Sequence, residues 1–262
     1  MLDALLNLPA LLGCLILMIT FVVVGQAIRF ASRKILFQDK QEALQDATRT
    51  VFLAVNIIVG LFLSLSLNSV VDGMTNIQNE VQSEAVAIAD IYSGIGQFDK
   101  ASAGDIQLLL TSYTKSLIEE DWPSLAKDRL ADRPELLLRK IWSTMRVLDT
   151  GSNNESFYFT LMIKDIDSLS DYRRARLYHA LAPPPFFLLI VIFGMVVVMV
   201  CLGLYRISRA LTVLVSFYLS FVGLVVYLIL ALSDPFQGVM AVAPTPLKYV
   251  LEEMPQPNQT TP

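Results

Sequence analysis

Four long apolar segments dominate the sequence, and each is long enough to cross a lipid bilayer as a helix. They cover approximately residues 8–28, 51–71, 185–204 and 211–232. A membrane-spanning helix needs about 20 apolar residues, because each residue adds about 1.5 Å against roughly 30 Å of hydrocarbon. The pattern predicts an all-α integral membrane protein with four transmembrane helices in two hairpins, within residues 1–71 and 183–233.

The region between the hairpins, residues 72–182, shows the pattern of amphipathic helices in water. Ile77, Val81 and Ile88 recur at helical spacing, which predicts one apolar stripe. Only Gly73 weakens the helical pattern after the second span, so that span is expected to continue beyond the membrane as one helix. Trp122-Pro123 is expected to interrupt a helix, since a residue before proline disfavours the helical conformation.

Residues 234–262 are predicted to form a turn and a tail. The Pro- and polar-rich end, residues 255–262, is predicted to be disordered. The turn is Asp234-Pro235-Phe236-Gln237-Gly238, in which Pro235 ends the fourth span and Gly238 permits a left-handed conformation.

The composition supports membrane burial and excludes several classes of function. Hydrophobic residues make up 54% and charged residues 17% of the chain, whereas soluble domains carry about 25% charged residues. The net charge of −4 predicts no nucleic-acid partner. The chain has one histidine and lacks the HExxH, GxSxG, Walker A and GxGxxG motifs, so we predict a non-enzymatic protein without a metal or cofactor. The acidic run Glu119-Glu120-Asp121 is interpreted as a solvated helix end.

Basic residues near the spans predict the orientation of the chain. The short loops within the two hairpins carry Arg29, Arg33, Lys34, Lys40, Arg49, Arg206 and Arg209. The opposite side carries Arg173, Arg174, Arg176 and Lys248. Because basic residues concentrate on the cytoplasmic side, the termini and the central region are expected outside, on the periplasmic face of a bacterial inner membrane. The arginine cluster at 173–176 argues for the opposite orientation.

A stripe of small and polar residues follows the second span: Asn56, Gly60, Ser64 and Asn68. Each four-residue step rotates the face by about 40°, so the stripe spirals gently. The fourth span carries a similar stripe at Ser216, Ser220 and Gly223. Such residues either allow helices to pack closely or line a water-filled path for ions, and the pattern itself favours packing. The central turns of the spans lack ionisable residues, which argues against ion-coupled transport and leaves passive conduction open.

Arg173, Arg174 and Arg176 precede the third span. They are candidates for contact with anions or lipid headgroups. The alternative is that they anchor their helix at the headgroup level.

Several short motifs resemble the bestrophin-like domain family of mostly bacterial four-helix membrane proteins. The motifs are Glu80 and Glu84, Tyr113 with Glu120-Asp121-Trp122-Pro123, the arginine cluster at 173–176, Asp234-Pro235-Phe236-Gln237-Gly238, and Val242-Ala243-Pro244. The resemblance implies four membrane helices and a distant relation to bestrophins, which are pentameric anion channels. Bestrophins keep their large soluble part in the cytoplasm, opposite to the orientation that the basic residues predict.

Two functional hypotheses follow. The first is an oligomeric channel for small anions in which the second span lines the path, since four helices per chain are few to enclose a pore. The alternative is a non-conducting scaffold or accessory subunit whose extramembrane helices bind a partner in a larger membrane complex. Both hypotheses require the lipid bilayer, and a homo-oligomer or a membrane-protein partner.

Overall fold

The computed structural model describes residues 9–36, 45–98, 100–127, 129–148, 153–180, 186–205, 208–238 and 240–254. Within these ranges the chain is helical apart from short turns and contains no strand, which confirms the all-α prediction. The helices are α1 (Ala10–Leu36), α2 (Gln45–Ile95), α3 (Lys100–Ser116), a π-helical segment (Leu117–Asp121), α4 (Trp122–Leu125), α5 (Asp132–Met145), α6 (Asn153–Ala180), α7 (Phe187–Gly203), α8 (Arg209–Ser233) and α9 (Thr245–Glu253).

Three of these helices, α1, α2 and α8, are long and apolar enough to cross a membrane. The helix at the predicted third span, α7, is equally apolar but has 17 residues. The count of four spans therefore remains a prediction. The triple proline before α7, the basic residues Lys40 and Arg206, and the predicted disordered end all lie outside the described residues.

The chain divides into two compact units. Unit 1 comprises Met1–Met74 and Pro183–Ala241, and unit 2 comprises Thr75–Ala182 and Val242–Pro262. The helix α2 passes Gly73 without a break, so one helix contributes to both units.

Unit 1 has an apolar core between α2, α7 and α8. Val59, Val191, Met195, Leu219 and Val222 are among its buried members. The packing of α8 against α1 is close, because a Cβ added at Gly223 would lie 3.1 Å from the Cα of Met18. The stripe of small residues on the fourth span is therefore a helix-packing face.

Unit 2 packs the apolar stripe of α2 against neighbouring helices. Ile77, Val81 and Ile88 are buried, as the spacing predicts, together with Ile106 of α3 and Ile141 of α5. The helix α9 belongs to this unit and buries Leu247.

The expected interruption at Trp122-Pro123 is wrong. The chain stays helical there: α3 leads into the π-helical segment Leu117–Asp121, and α4 begins at Trp122. Pro123 lies at the start of α4, directly after the π turn in which the Trp122 N–H bonds the Leu117 carbonyl five residues back. The wider π turn thus lets the chain pass the proline without leaving the helical conformation.

Candidate functional site

The motif residues of unit 2 meet in one buried cluster of charged and aromatic side chains. We call it the ionic cluster. Its members are Glu84 of α2, Tyr113 of α3, Asp121 of the π-helical segment, Trp122 of α4, and Arg173 and Arg176 of α6; each is at most 9% exposed. Residues that are distant in sequence are therefore neighbours in the core.

Arg176 lies at the centre of the ionic cluster and contacts two carboxylates. Its Nη2 donates to Asp121 Oδ2 at 2.9 Å and to Glu84 Oε1 at 3.4 Å. Its Nε is 3.3 Å from Glu84 Oε2. The guanidinium also lies over the Trp122 ring, 4.7 Å from the centroid, in cation–π contact. All three charged side chains are fully buried, so each depends on the others for charge compensation.

Arg173 extends the ionic cluster to its rim. Its Nη1 donates to Glu135 Oε2 at 2.7 Å, and its Nη2 is 3.8 Å from Asp121 Oδ1. Arg173 and Arg176 are three residues apart on one helix, which places both guanidinium groups on the same face. Arg174 points elsewhere: its side chain is 76% exposed and pairs only with the exposed Asp171 at 3.7 Å among the described residues.

Two aromatic residues complete the ionic cluster with hydrogen bonds. The Tyr113 hydroxyl donates to Glu84 Oε1 at 3.2 Å. Burial, reinforced by the Glu84 carboxylate, raises the pKa of Tyr113 well above its usual value, so the phenol remains a donor. The Trp122 indole donates its N–H to the Val242 carbonyl at 2.9 Å, which ties the Val-x-Pro segment to the core of unit 2.

Some polar atoms of the ionic cluster are only partly satisfied. Nε and Nη1 of Arg176, Nε of Arg173 and Oδ1 of Asp121 are buried without a hydrogen-bond partner in the part of the chain that the structure describes. Such networks are highly sensitive to the loss of a member, because a remaining buried charge has no solvent to stabilise it. The chemistry of the cluster is therefore charge compensation between helices.

The predicted path-lining residues have different environments. Asn56 is half-buried, and its side-chain oxygen accepts a hydrogen bond from the Tyr218 hydroxyl of α8. Gly60, Ser64 and Asn68 are exposed on the surface of unit 1. The Asn68 amide donates to the exposed Asp72 one turn further on, at 3.1 Å.

The other predicted site residues are distributed between the core and a turn. Arg173 and Arg176 are occupied by carboxylates, whereas Arg174 is accessible. In the turn, α8 ends at Ser233, just before Asp234. Pro235 and Phe236 are buried, and Gly238 has a φ of 77°.

The interpretation of Asp121 as part of a solvated helix end is wrong, since Asp121 is fully buried. Asp121 continues the four-residue spacing of the buried Tyr113 and Leu117, yet its charge argued for solvent exposure. The available signal was the spacing of Arg173 and Arg176 on the predicted helix, since two arginines on one face require acidic partners when that face is buried.

Replacement of Arg176 with methionine is expected to lower the free energy of unfolding by about 3–5 kcal/mol, because it leaves two buried carboxylates without their cation. The matched control is Arg174→Met, which removes an exposed charge from the same helix and should change stability by about 0.5 kcal/mol or less. Denaturant unfolding in detergent measures both variants.

Adding Glu84→Gln to Arg176→Met should restore part of the lost free energy of unfolding, since it neutralises one of the two unpaired carboxylates. Equal stability of the Arg176 and Arg174 variants would contradict the compensating role of Arg176.

The comparisons with known proteins agree with this architecture. A family model described as Bestrophin-like domain matches residues 17–247. Two crystal structures of a bacterial bestrophin homologue from Klebsiella pneumoniae, each with a point mutation, have a similar fold. One has a TM-score of 0.64 at 14% identity, covering 90% of this chain and 97% of that chain. The other has a TM-score of 0.63 at 16% identity, covering 92% and 96%.

No curated protein matches the chain in sequence. The family match nevertheless covers most of the chain, including every member of the ionic cluster. This chain belongs to the bestrophin-like domain family.

Proposed function

We propose that this chain is the subunit of a homo-oligomeric membrane channel that passes small anions, with α2 lining the path. The observation that carries the proposal is the exposed row Gly60, Ser64 and Asn68 on a mostly apolar stretch of α2. The Ser64 hydroxyl is unfavourable when it faces hydrocarbon, and so is the Asn68 amide, whose one side-chain bond goes to Asp72. A water-filled path supplies hydrogen-bond partners for these groups.

The chemistry of the row suits passive conduction. Residues 56–71 of α2 contain no ionisable side chain, so nothing there would hold an ion tightly. Amide N–H and hydroxyl groups can donate hydrogen bonds to a passing anion. A single helix cannot enclose a path, whereas a closed ring of identical subunits places the same face of α2 around one axis.

Replacing Ser64 with leucine is expected to reduce ion flux in proteoliposomes severalfold, because an apolar side chain narrows and dries the path. The matched control is Ser69→Leu on another exposed face of the same helix, which should leave flux near the wild-type rate. Equal flux in both variants with intact oligomers would contradict the assignment of α2 as the lining helix. Absence of flux in the wild type, with a stoichiometric partner protein, would support the non-conducting scaffold instead.

One observation favours a second candidate, a channel for cations. The exposed carboxylate of Asp72 continues the same row in unit 1, and in a closed ring it would form a ring of negative charge. Carboxylate rings favour cations.

The reversal potential under a KCl gradient separates these two candidates. An anion channel gives a reversal potential near that of chloride, and Asp72→Asn should shift it little. A value near the potassium potential that moves towards chloride in Asp72→Asn would contradict anion selectivity and support the cation channel.

We also propose that the chain lies in a bacterial inner membrane with its termini and the central region in the periplasm. The excess of basic residues in the short loops, seven against four, supports this orientation. A fusion of alkaline phosphatase to the carboxyl terminus should then be active in intact cells. A fluorescent green fluorescent protein fusion at the same position would contradict it.

A further inference from the structure

Unit 1 contains an apolar groove between α1, α7 and α8, with a volume of about 230 Å³. Its lining includes Phe21, Gly25 and Ile28 of α1, Met195 and Met199 of α7, and Leu219 of α8. The hydroxyl of Thr20, which also lines the groove, donates to the Ile16 carbonyl of its own helix at 2.8 Å. The groove therefore offers contacts for hydrocarbon and no free polar group.

One end of the groove is polar on all three helices. On α1, Arg29 follows Ile28 and lies one turn beyond Gly25. On α7, Leu202 lies three residues beyond Met199 and presents its carbonyl to Arg29. On α8, which runs the other way along α1, Ser216 lies three residues before Leu219 and accepts a hydrogen bond from Gln26.

The charge of Arg29 at this end is not compensated by a carboxylate. Its side chain is fully buried. Nε donates to the Leu202 carbonyl at 3.3 Å and Nη1 to the Gln26 side-chain oxygen at 3.4 Å, and both acceptors are neutral. Nη2 has no partner, and no carboxylate pairs with Arg29 among the described residues.

The described groups around this guanidinium do not neutralise it. The amide nitrogen of Gln26 is held by the Thr212 carbonyl at 3.1 Å, so its oxygen stays directed at Arg29. Arg33 adds a second positive charge and donates to the Tyr205 carbonyl at 3.1 Å. The carboxyl end of α7 contributes about half a negative charge at most. A buried guanidinium therefore gains strongly from an anionic partner.

We propose that the groove binds one anionic phospholipid, with an acyl chain in the groove and the phosphate at its polar end, where the headgroup displaces a neighbouring side chain to reach Nη2 of Arg29. A rise of about 1.5 Å per residue separates Phe21 from Arg29 by roughly 12 Å along α1, so one amphipathic molecule reaches both. Arg33 lies one turn beyond Arg29, in the last turn of α1, where basic residues meet lipid headgroups. Nη2, the nitrogen of Arg29 without a partner, can donate a charge-assisted hydrogen bond to the phosphate.

The uncompensated charge of Arg29 favours an anionic lipid over other occupants of the groove. A second copy of the chain could cover the groove with apolar side chains but would leave Arg29 unpaired, unless it also inserted a carboxylate. A free halide would neutralise Arg29 but would leave the groove unfilled. An anionic lipid satisfies both features, and the readout below is binding, which is independent of any conduction through the oligomer.

The test is native mass spectrometry of the delipidated full chain with added phosphatidylglycerol or phosphatidylcholine carrying identical acyl chains. Wild type is expected to retain one phosphatidylglycerol per chain, and to bind it at least about tenfold more tightly than phosphatidylcholine, since a hydrogen bond to a charged group supplies about that factor. Arg29→Met should abolish the preference. The control Lys34→Met removes an exposed charge at the same end of α1 and should preserve it.

A second pair of variants tests the groove itself. Val196→Trp places an indole in the groove and should remove bound phospholipid of either kind. Val213→Trp, at an exposed apolar position of α8 that does not line the groove, should retain it.

Equal affinity of the wild type for the two lipids would overturn the proposal, and so would equal losses in the Arg29 and Lys34 variants. Dissociation of the oligomer by Val196→Trp would assign the groove to a second copy and also overturn it. If Arg29→Met does not fold, Arg29→Lys keeps the charge and should keep the preference for phosphatidylglycerol. Loss of that preference in a folded Arg29→Lys variant would count against a simple ionic role.

Discussion

The fully buried contact of Arg176 with Glu84 and Asp121 determines how unit 2 is assembled. Asp121 and Glu84 precede Arg176 by 55 and 92 residues and belong to different helical segments. Each of the three charges is strongly unfavourable alone in the core and acceptable only beside the others. The interaction therefore penalises any arrangement of these helices that separates the three side chains.

The helical segment around Asp121 places two side chains against Arg176. The π-helical segment brings both Asp121 and the following Trp122 to the guanidinium, one as a carboxylate and the other as an aromatic face. Trp122 in turn reaches the Val242 carbonyl, so the segment after the last membrane helix is positioned by the same centre. The motif Glu-Asp-Trp-Pro therefore marks the end of the π-helical segment.

The helices and the apolar core of unit 2 could be predicted from the sequence, because periodicity depends only on local geometry. Ile77, Val81 and Ile88 are buried where their spacing places them. The role of Asp121 could not be predicted, because the burial of an acidic residue depends on basic partners more than 50 residues away. The burial of Arg173 and Arg176 could not be predicted either. The sequence shows three neighbouring arginines, and only the packing of the helices distinguishes the two buried ones from the exposed Arg174.

Each unit contains a fully buried arginine, but among the described residues only the arginine of unit 2 is paired with carboxylates. In unit 2, Arg176 lies among helices that can supply acidic side chains, and Glu84 and Asp121 neutralise it. In unit 1, Arg29 lies on a helix whose neighbours α7 and α8 contain no acidic residue, so they can offer it only carbonyl, amide and hydroxyl groups. Carboxylates are rare in apolar membrane-spanning helices, because an ionised group in hydrocarbon is strongly disfavoured. Among the described residues no carboxylate pairs with Arg29, and the proposed phospholipid would carry a negative charge together with the hydrocarbon that the adjoining groove accepts.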